Sequence, residues 1–503
     1  MCIISQGGTS YSSKMLVRDL RRLLLVVIPF LLLFYAAFRY LDRQPTFLYY
    51  RARDWTQHAF STSHDLAGHQ EKLGQGGFPP KDDSSNSPSE TSDYDENEEN
   101  GYTINKLSMF DSTDTHVELF SVSTPDKKYF RLRFDEKLGI NPNIIPHPLL
   151  ENTWIMVAQQ YKPAGTTHTH FVEIACDAAF DESNSALRCL FPPITLPIAP
   201  TGPGKCSGEL EYVNLNVGPH DARVFHGPLT PFAMYGSNSY ETCFGQWMQD
   251  FQVLINWKSG VVDDVNANAD MLGQEPVLEQ EQGNFFRLGT ELRRPPPYSP
   301  MEKNWFIFWG PDGQMYAHYD ISPRRVFAKL SSDGSVGLDL APLAAAAGDE
   351  QCMDKYMPKI ESKHESIHQA TNSLSITLCR RRDPSCSASG ANTFLFTIFQ
   401  HKTFREFHSV YEPYVMVFHQ LPPFQVYGLS RKPLWIHGRE RVGEEQSQMF
   451  YVTSVSWKTR GQKYRGYLDD VLFLGFGIED QDSAGIDVLA SDLLADLGFC
   501  LEV

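Results

Sequence analysis

Short apolar runs separated by turns follow one another along the chain from residue 101 to its end. The runs are rich in β-branched and aromatic residues and are bounded by Gly, Pro, Asn or Asp, which is typical of β-strands. Amphipathic helical runs are scarce, and the clearest is Leu493–Leu497. The runs that predict strands are Trp154–Ala158, Phe171–Ile174, Arg223–Phe225, Phe251–Ile255, Trp305–Trp309, Phe394–Phe399, Tyr414–Phe418, Met449–Val452 and Val471–Leu474.

The strand runs gather in five clusters, each about the size of one four-stranded propeller blade. Residues 102–503 form too long a segment for a single β-sandwich. We therefore predict an all-β fold, a five-bladed β-propeller over residues 102–503, with two packed β domains as the alternative. The clusters are centred near residues 155–175, 212–257, 285–330, 370–420 and 448–490.

An unbroken uncharged run, Leu23–Phe38, lies near the N-terminus and holds sixteen residues. A membrane span needs about 20 residues, and snorkelling of Arg39 extends the candidate span to residues 23–41. A cleaved signal peptide needs small residues at its cleavage site, and Tyr35 is bulky where one is required. We therefore predict a retained transmembrane signal anchor after a cytosolic tail at residues 1–22. The alternatives are a cleaved signal peptide and a buried core helix.

Residues 42–101 lose the apolar periodicity and become acidic towards their end. Residues 81–100 contain eight Asp or Glu and one Lys. Such a segment buries too little apolar surface to offset its ordering entropy, and its charges repel one another. We predict a disordered acidic stem between the anchor and the body, with an acidic interaction tail as the alternative.

Charge and cysteine usage restrict the class of protein further. The 503 residues include 44 Lys and Arg against 61 Asp and Glu, a net charge of −17, which argues against nucleic-acid binding. Basic residues flank the anchor on both sides, so the positive-inside rule does not decide its orientation. Of nine cysteines only Cys2 precedes the anchor, and the even number beyond it suits an oxidising lumen. We expect a single-pass type II protein of the Golgi or endoplasmic reticulum membrane.

Polar residues stand just before several predicted core strands, and in a propeller the innermost strands bring such residues together at a central channel. Asp221 and Arg223 are two residues apart and share one face of a regular strand. A carboxylate beside a guanidinium can hold vicinal sugar hydroxyls or a phosphate, and a buried structural ion pair is the alternative.

Four short stretches, taken in order, resemble one family of five-bladed propellers that act on mannosides. The family includes β-mannoside phosphorylases and the yeast cell-wall β-mannosyltransferases, and the resemblance covers about residues 140–495. It implies a lumenal glycan-active enzyme, a glycosyltransferase with a sugar donor and a glycan acceptor. His220 and Ala222 replace the Glu and Pro of the family, which favours the alternative of a non-catalytic propeller that binds glycan or protein. The stretches are His220–Val224 with Tyr235-Gly236, Glu302–Trp305 with Tyr319–Pro323, Gly428–Leu434, and Leu474–Asp480.

Carboxylates near strand ends are the candidates for acid–base chemistry, because glycosyl transfer uses paired carboxyl groups. Polar and aromatic residues beside the same strands are the candidates for sugar binding. The predicted catalytic residues are Asp221, Asp469, Asp470, Glu479 and Asp480, and the predicted binding residues are Arg223, Asn304, Trp305, His368, Asn372 and Tyr467.

Two sequences match metal-binding motifs, but we predict no metal site and leave the cofactor unassigned. His364-Glu365-Ser366-Ile367-His368 matches H-E-x-x-H, which binds zinc only on a helix, and the surrounding residues indicate a strand. Asp480-Gln481-Asp482 matches the D-x-D of nucleotide-sugar transferases, which normally follows an α/β domain. A polar loop and a solvated turn are the simpler interpretations.

The eight cysteines beyond the anchor predict four disulfide bonds. Polar turns separate two pairs locally, a third pair flanks the strand of Asp221, and one long-range pair is left to close the ring of blades. Free, buried thiols are the alternative for the long-range pair. The predicted bonds are Cys176–Cys189, Cys379–Cys386, Cys206–Cys243 and Cys352–Cys500.

Overall fold

A computed structural model describes residues 115–161, 170–255, 285–405, 408–442 and 446–500. The predicted cytosolic tail at 1–22, the anchor at 23–41 and the stem at 42–101 lie outside these residues. Within the described part, no helix is both long and apolar enough to cross a membrane. The described part is mostly β-strand, so the prediction of an all-β fold is confirmed.

Most of the strands are short, as the apolar runs predict, but the run Phe251–Ile255, predicted as a strand, begins as a 3₁₀ helix. The first part holds β1 (Val117–Leu119), β2 (Phe130–Arg133), β3 (Gly139–Pro146), β4 (Trp154–Gln160), β5 (Glu173–Phe180), β6 (Ala186–Cys189) and β7 (Ile194–Thr195). A 3₁₀ helix, Gly208–Leu215, precedes β8 (His220–His226), β9 (Pro231–Asn238) and β10 (Phe244–Asp250), and a second one is Phe251–Val253. Then come β11 (Thr290–Glu291), β12 (Phe306–Trp309), β13 (Met315–Asp320) and β14 (Val326–Lys329).

The second half begins with two short helices, α1 (Ala341–Ala345) and α2 (Asp349–Tyr356). The strands that follow are β15 (Glu365–Gln369), β16 (Leu374–Thr377), β17 (Thr393–Arg405), β18 (His408–His419), β19 (Val426–Ser430), β20 (Leu434–Ile436), β21 (Arg441–Val442) and β22 (Gln446–Ser447). The chain continues with β23 (Phe450–Trp457), β24 (Arg465–Tyr467), β25 (Val471–Ile478) and β26 (Asp482–Leu489), then α3 (Ala490–Leu493) and β27 (Leu497–Phe499).

Antiparallel pairing divides most of these strands into five successive groups. They are β3-β4-β5-β6, β8-β9-β10-β11, β12-β13-β14, then β15 or β16 with β17-β18-β19-β27, and finally β23-β25-β26-β2. The last group takes its fourth strand from the beginning of the described chain, where Phe130 pairs with Gly485. β2 also pairs with β6 in parallel, so the first and last groups are joined.

Polar side chains bridge the first strands of different groups. Among the described residues β3, β8, β12 and β23 each have one sheet neighbour, which leaves the backbone groups of one edge to be satisfied otherwise. The Asn143 amide on β3 donates to the carbonyl of Ala222 at 2.7 Å and accepts from the N–H of Val224 at 3.0 Å. The Asn372 amide serves Val455 on β23 in the same way, at 3.0 and 3.2 Å. These amides hold the first strands side by side.

The core is aromatic and lies between the groups. Phe308 on β12 packs edge-on against Phe418 on β18, and Trp154 on β4 packs edge-on against Phe473 on β25. Gly466 lies so close to the indole of Trp457 that a Cβ at this position would approach within 2.2 Å of the ring. Burying each large apolar side chain contributes about 1.5–3 kcal/mol.

All four predicted disulfide bonds are present, including the long-range one. Cys176–Cys189 joins β5 to the end of β6, and Cys379–Cys386 closes a short loop after β16. Cys206–Cys243 joins the segment before β8 to the turn before β10. Cys352 on α2 bonds Cys500, which follows β27, and this strand pairs with β19. The C-terminal end of the described chain is therefore fixed both by backbone pairing and covalently.

Candidate functional site

Left-handed backbone conformations mark the beginnings of three first strands. Asn141 on β3 has φ 53°, Asp221 on β8 has φ 51°, and Asn304, two residues before β12, has φ 62°. The pairing registers of β3 and β8 shift at Asn141 and Asp221, as expected of β-bulges. Asn and Asp tolerate this conformation better than other non-glycine residues, and such strain is typical of functional sites.

Asp221 is the centre of the candidate site. Its carboxylate accepts a hydrogen bond of 2.6 Å from the amide of Asn141, and its backbone N–H donates to Oε1 of Gln159 at 2.9 Å. Asn141 and Gln159 are buried, whereas Asp221 is half-buried. The carboxylate is thus held in a fixed orientation with access to solvent. We call Asn141, Asp221, Arg223, Lys303 and Tyr451 the central cluster.

Two cations join Asp221 in the central cluster. Arg223 is buried, and its Nε donates to the carbonyl of Ala370 at 3.0 Å while Nη1 donates to the Asp221 carbonyl at 3.1 Å. The Lys303 side chain reaches solvent, and the surrounding protein lowers its pKa by desolvation, an effect that the Asp221 carboxylate opposes. The site therefore combines one fixed guanidinium with an ammonium that is partly desolvated and is affected by the charge of Asp221.

Tyr451, at the start of β23, connects Asp221 with a second carboxylate. Its ring centroid lies 5.9 Å from the guanidinium carbon of Arg223. Burial raises the pKa of Tyr451, Arg223 lowers it, and the charges of Asp221 and Asp480 raise it further. Asp480 lies in the turn between β25 and β26, which is next to the start of β23 because Phe450 pairs with Ile478. The predicted residues Asp221, Arg223 and Asp480 therefore all affect the pKa of the same phenol.

Glu173 contacts the backbone of the central cluster next to Asp221. It is not among the site residues predicted from the sequence. It is fully buried on β5, and its Oε1 accepts the N–H of Ala222 at 3.2 Å, directly after Asp221. Oε2 is buried without a partner. Burial raises the pKa of Glu173 to about 8, so the side chain is mostly neutral at pH 7. The signal in the sequence is the acidic residue inside the apolar run Phe171–Ile174.

His220 is a neutral, packed residue. Its ring lies 3.8 Å from that of Phe171 and 5.4 Å from that of Phe244. Burial lowers the pKa of His220 to about 4, opposed by Asp221 and assisted by Lys303. The imidazole of His220 is therefore uncharged at pH 7 and does not act as an imidazolium proton donor.

The other predicted binding residues occupy different environments. Trp305 is buried in the main core, and its ring lies 5.3 Å from that of Tyr319. Asn372 is the strand-bridging amide described above. Asn304 is half-buried beside Lys303, and His368 is half-buried on β15, where Nε2 contacts the Ser366 hydroxyl at 2.7 Å. Asn304 is thus next to the central cluster in the chain. Trp305 and Asn372 are buried, and their contacts give them structural roles in the interior.

Asp469, Asp470 and Tyr467 lie at the other end of β25 from Asp480. The eight residues of β25 separate these ends by about 25 Å, far beyond the carboxyl separations of glycoside-cleaving sites. Asp470 instead pairs with the guanidinium of Arg381 at 2.6 and 3.0 Å, and Arg381 covers the Tyr467 ring. Asp469 accepts the Arg381 N–H at 2.5 Å. The pairing of Asp469 or Asp470 with Glu479 or Asp480 as acid and base on one bond is therefore incompatible with the geometry.

Glu479 shares the turn of Asp480 and has φ 52°. Its Oε1 accepts the N–H of Met449 at 2.7 Å, which attaches the turn to the start of β23. Its other oxygen lies 3.8 Å from Nδ1 of His408. These contacts make Glu479 a support of the turn that presents Asp480.

The H-E-x-x-H match lies on a strand, as the sequence predicts. In an extended chain His364 and His368 are about 13 Å apart, too far for one zinc ion. Glu365 contacts the Ser362 hydroxyl at 3.1 Å and His401 at 3.3 Å. Within the described ranges, no group of three or more His, Cys, Asp or Glu side chains could hold a metal ion.

Comparisons with known proteins give no family assignment. No family model matches the chain, and no curated protein matches it. Among solved structures, it is similar to β-1,2-mannobiose phosphorylase from Listeria innocua at 12% identity and a TM-score of 0.36, covering 72% of this chain and 92% of that one. It is also similar to the catalytic domain of an α-L-arabinofuranosidase from Coprinopsis cinerea, at 9% identity and a TM-score of 0.34, covering 72% and 97%.

An arabinanase from Bacillus subtilis is similar at 8% identity and a TM-score of 0.31, covering 73% of this chain and 98% of that one. At these low identities and TM-scores, none of the likenesses shows what this chain binds or which reaction it carries out.

Proposed function

We propose that the domain binds a glycan at the central cluster and transfers a glycosyl group there, as a membrane-anchored mannosyltransferase-like enzyme. The observation that carries the proposal is the Asp221 carboxylate, which Asn141 fixes beside the buried Arg223, while the charge of a second carboxylate, Asp480, acts on the same Tyr451 phenol as that of Asp221. The ordered motifs that resemble mannoside-active propellers include both carboxylates.

The chemistry assigns a role to each member of the cluster. In glycosyl transfer an acceptor hydroxyl attacks the anomeric carbon while the bond to the leaving group breaks, and a carboxylate takes the hydroxyl proton. Asp221, held by Asn141, is positioned to accept that proton or to hold the sugar hydroxyls. Arg223 and Lys303 supply positive charge for an anionic leaving group, and the hydroxyl of Tyr451 supplies a hydrogen-bonding group for the sugar.

The five groups of strands support the architecture that this function needs. We extend the proposal to a five-bladed propeller whose innermost strands are β3, β8, β12, β16 and β23. The side-chain bridges between neighbouring first strands, and the pairing of β2 with β26 across the two ends of the chain, are what a closed ring requires. The anchor at residues 23–41 and a Golgi or endoplasmic reticulum location complete the proposal.

A second function, glycan binding without catalysis, is favoured by one observation. His220 stands where the resembling family has Glu, and its ring is packed between Phe171 and Phe244. Burial lowers the pKa of His220 to about 4, so the ring is uncharged at pH 7 and supplies no negative charge where the family has a carboxylate. Glycan would then occupy the same cluster without reacting.

Transfer assays with the full-length protein in detergent separate the two functions. Labelled nucleotide sugars are offered with mannan acceptors, and transfer and acceptor binding are measured in parallel. We expect Asp221→Asn to lower transfer by about 100-fold or more, as for the loss of an acid–base group. Asp312→Asn, in the β12–β13 turn, is the matched control and should leave transfer unchanged. If the protein binds mannan but transfers sugar from none of the donors, the enzymatic proposal is refuted and the binding function is supported.

A further inference from the structure

A continuous chain of buried polar side chains connects helix α2 to the border of the central cluster. Asp349, at the start of α2, accepts from Nη1 of Arg325 at 2.5 Å. The Nε of Arg325 donates to Nε2 of His318 at 3.3 Å, and Nδ1 of His318 contacts Oε1 of Gln369. The amide nitrogen of Gln369 then donates to the carbonyl of Asn304 at 3.0 Å.

All four side chains that lead to Asn304 are shielded from solvent. His318 is fully buried, and Arg325, Asp349 and Gln369 are exposed by 3%, 4% and 6%. In such an environment a hydrogen bond is strong and an unsatisfied polar group is costly, so each member depends on the next. The contacts therefore form one network rather than four independent pairs.

The chemistry of the donors fixes the direction of every hydrogen bond in the network. A guanidinium only donates, so Nε2 of His318 must be the acceptor and carry no proton. The amide Oε1 of Gln369 only accepts, so Nδ1 of His318 must carry the proton. Both neighbours thus require the same neutral tautomer, with hydrogen on Nδ1. Gln369 is then oriented with its NH₂ group towards the carbonyls of Asn304 and His318.

Packing reinforces this arrangement. The His318 ring lies between the rings of Phe306 and Phe327, with centroids 4.5 and 6.0 Å away and planes nearly parallel. Burial lowers the pKa of His318 well below its usual value, and the charge of Arg325 lowers it further. The ring can therefore neither rotate nor become charged without breaking the network.

The network ends at a residue whose conformation needs support. Asn304 has φ 62°, a conformation that is strained for a residue with a side chain and persists only where the surroundings hold it. Its neighbour Lys303 supplies the ammonium of the central cluster. The Asn304 carbonyl belongs to the peptide unit between Asn304 and Trp305. Its hydrogen bond to Gln369 fixes the chain on that side of Asn304 and, through the left-handed Asn304 backbone, helps to hold Lys303 in place.

We propose that His318 is a positioning residue: as its Nδ1–H tautomer, it orients Gln369 so that the Lys303–Asn304 segment is held in the conformation that the central cluster needs for its glycan. This inference rests on the proposed glycan function for its consequence but not for its geometry. The test therefore has one arm that does not depend on any activity.

The first arm reads the tautomer of His318 directly. The full-length protein is labelled with ¹⁵N-histidine, and the His318 signals are assigned by their loss in His318→Asn. We expect the Nδ1–H tautomer, with shifts that do not change between about pH 5.5 and 8.5, a range that spans the usual pKa of histidine. An Nε2–H tautomer, or titration within this range, would overturn the inference whatever the protein binds.

The second arm measures the consequence for binding. Gln369→Glu keeps the acceptor for His318 but places a carboxylate oxygen against the Asn304 carbonyl. We expect mannotriose binding to weaken by about tenfold, the value of one hydrogen bond to a buried group. Gln249→Glu, which alters a buried amide bound to the Arg287 carbonyl, is the matched control and should change binding by less than about twofold.

The two arms separate the inference from the proposed function. Unchanged mannotriose binding in Gln369→Glu, with normal binding by the unaltered protein, would refute the positioning role. A protein that binds neither mannotriose nor mannan would refute the proposed function, while the tautomer measurement would still decide the structure of the network.

Discussion

Replacing Glu173 by Gln should stabilise the protein at neutral pH and should do so more strongly as the pH rises. The side chain is fully buried, and burial raises its pKa to about 8 from an ordinary value of 4.5. Unfolding therefore releases a proton between these two values. The unfolded state binds fewer protons than the native one in this window, so the stability of the unaltered protein falls as the pH rises from 4.5 to 8.

The magnitude follows from the distance between the two pKa values. One pKa unit corresponds to about 1.4 kcal/mol, so the cost of the ionisable group is about 3 kcal/mol at pH 7 and about 5 kcal/mol above pH 8. The amide that replaces the carboxyl group keeps the acceptor for the Ala222 N–H and cannot ionise. Its NH₂ group takes the place of the unpartnered Oε2, and a buried donor without a partner costs about 1–3 kcal/mol at every pH.

Denaturant unfolding at pH 5, 7 and 9 measures this pH dependence. The stability of Glu173→Gln relative to the unaltered protein should rise by about 4 kcal/mol between pH 5 and pH 9. Asp181→Asn is the control of opposite sign. Hydrogen bonds from Ser183, Ser185 and Ala186 outweigh burial and lower the pKa of Asp181, so this change should destabilise above about pH 4. A difference for Glu173→Gln that does not vary with pH would refute the assignment of a neutral Glu173.

Two further predictions concern the supports of the fold. Replacing Cys352 and Cys500 by Ser removes a crosslink between residues that are 148 positions apart. In the chain-entropy model this should lower the free energy of unfolding by about 5 kcal/mol, which denaturant titration measures. An effect below about 1 kcal/mol would contradict this prediction. Asp470→Asn should release Arg381 and increase proteolysis of the 379–386 loop. Mannan binding should stay within about twofold of that of the unaltered protein. A larger loss of binding would show that this end of β25 does contact the glycan.

The strand pattern and the cysteine spacing can be read from the sequence because both depend on local chemistry. Apolar β-branched runs bounded by turn residues predict strands, and this prediction does not require knowing to which sheet each strand belongs. Cys176–Cys189 and Cys379–Cys386 each close across a short turn, and the long-range pair follows once the local pairs are assigned. The interior amides are harder to predict, because Asn372 serves a strand that lies far from it in sequence.

Two features of the candidate site have physical causes that the sequence already contains. Asp470 precedes an eight-residue strand and Glu479 follows it, so strand rise alone places them at opposite ends. Glu173 escapes prediction because it stands inside a run that predicts a strand. A lone carboxyl group in such a run is either exposed on an edge or buried and perturbed, and the second case marks a site.

The position of the central cluster follows from how the first strands satisfy their backbone. Further along these strands, side chains such as Asn143 and Asn372 form hydrogen bonds with backbone groups of the unpaired edges. At the beginnings of β3 and β8 the bulges at Asn141 and Asp221 interrupt this regular bridging, and the two side chains contact each other instead. Polar groups that are fixed but face solvent can exchange water for sugar hydroxyls at little conformational cost. A glycan site is therefore expected at this end of the strands and not at the end occupied by Asp469 and Asp470, where ion pairs already close the loops.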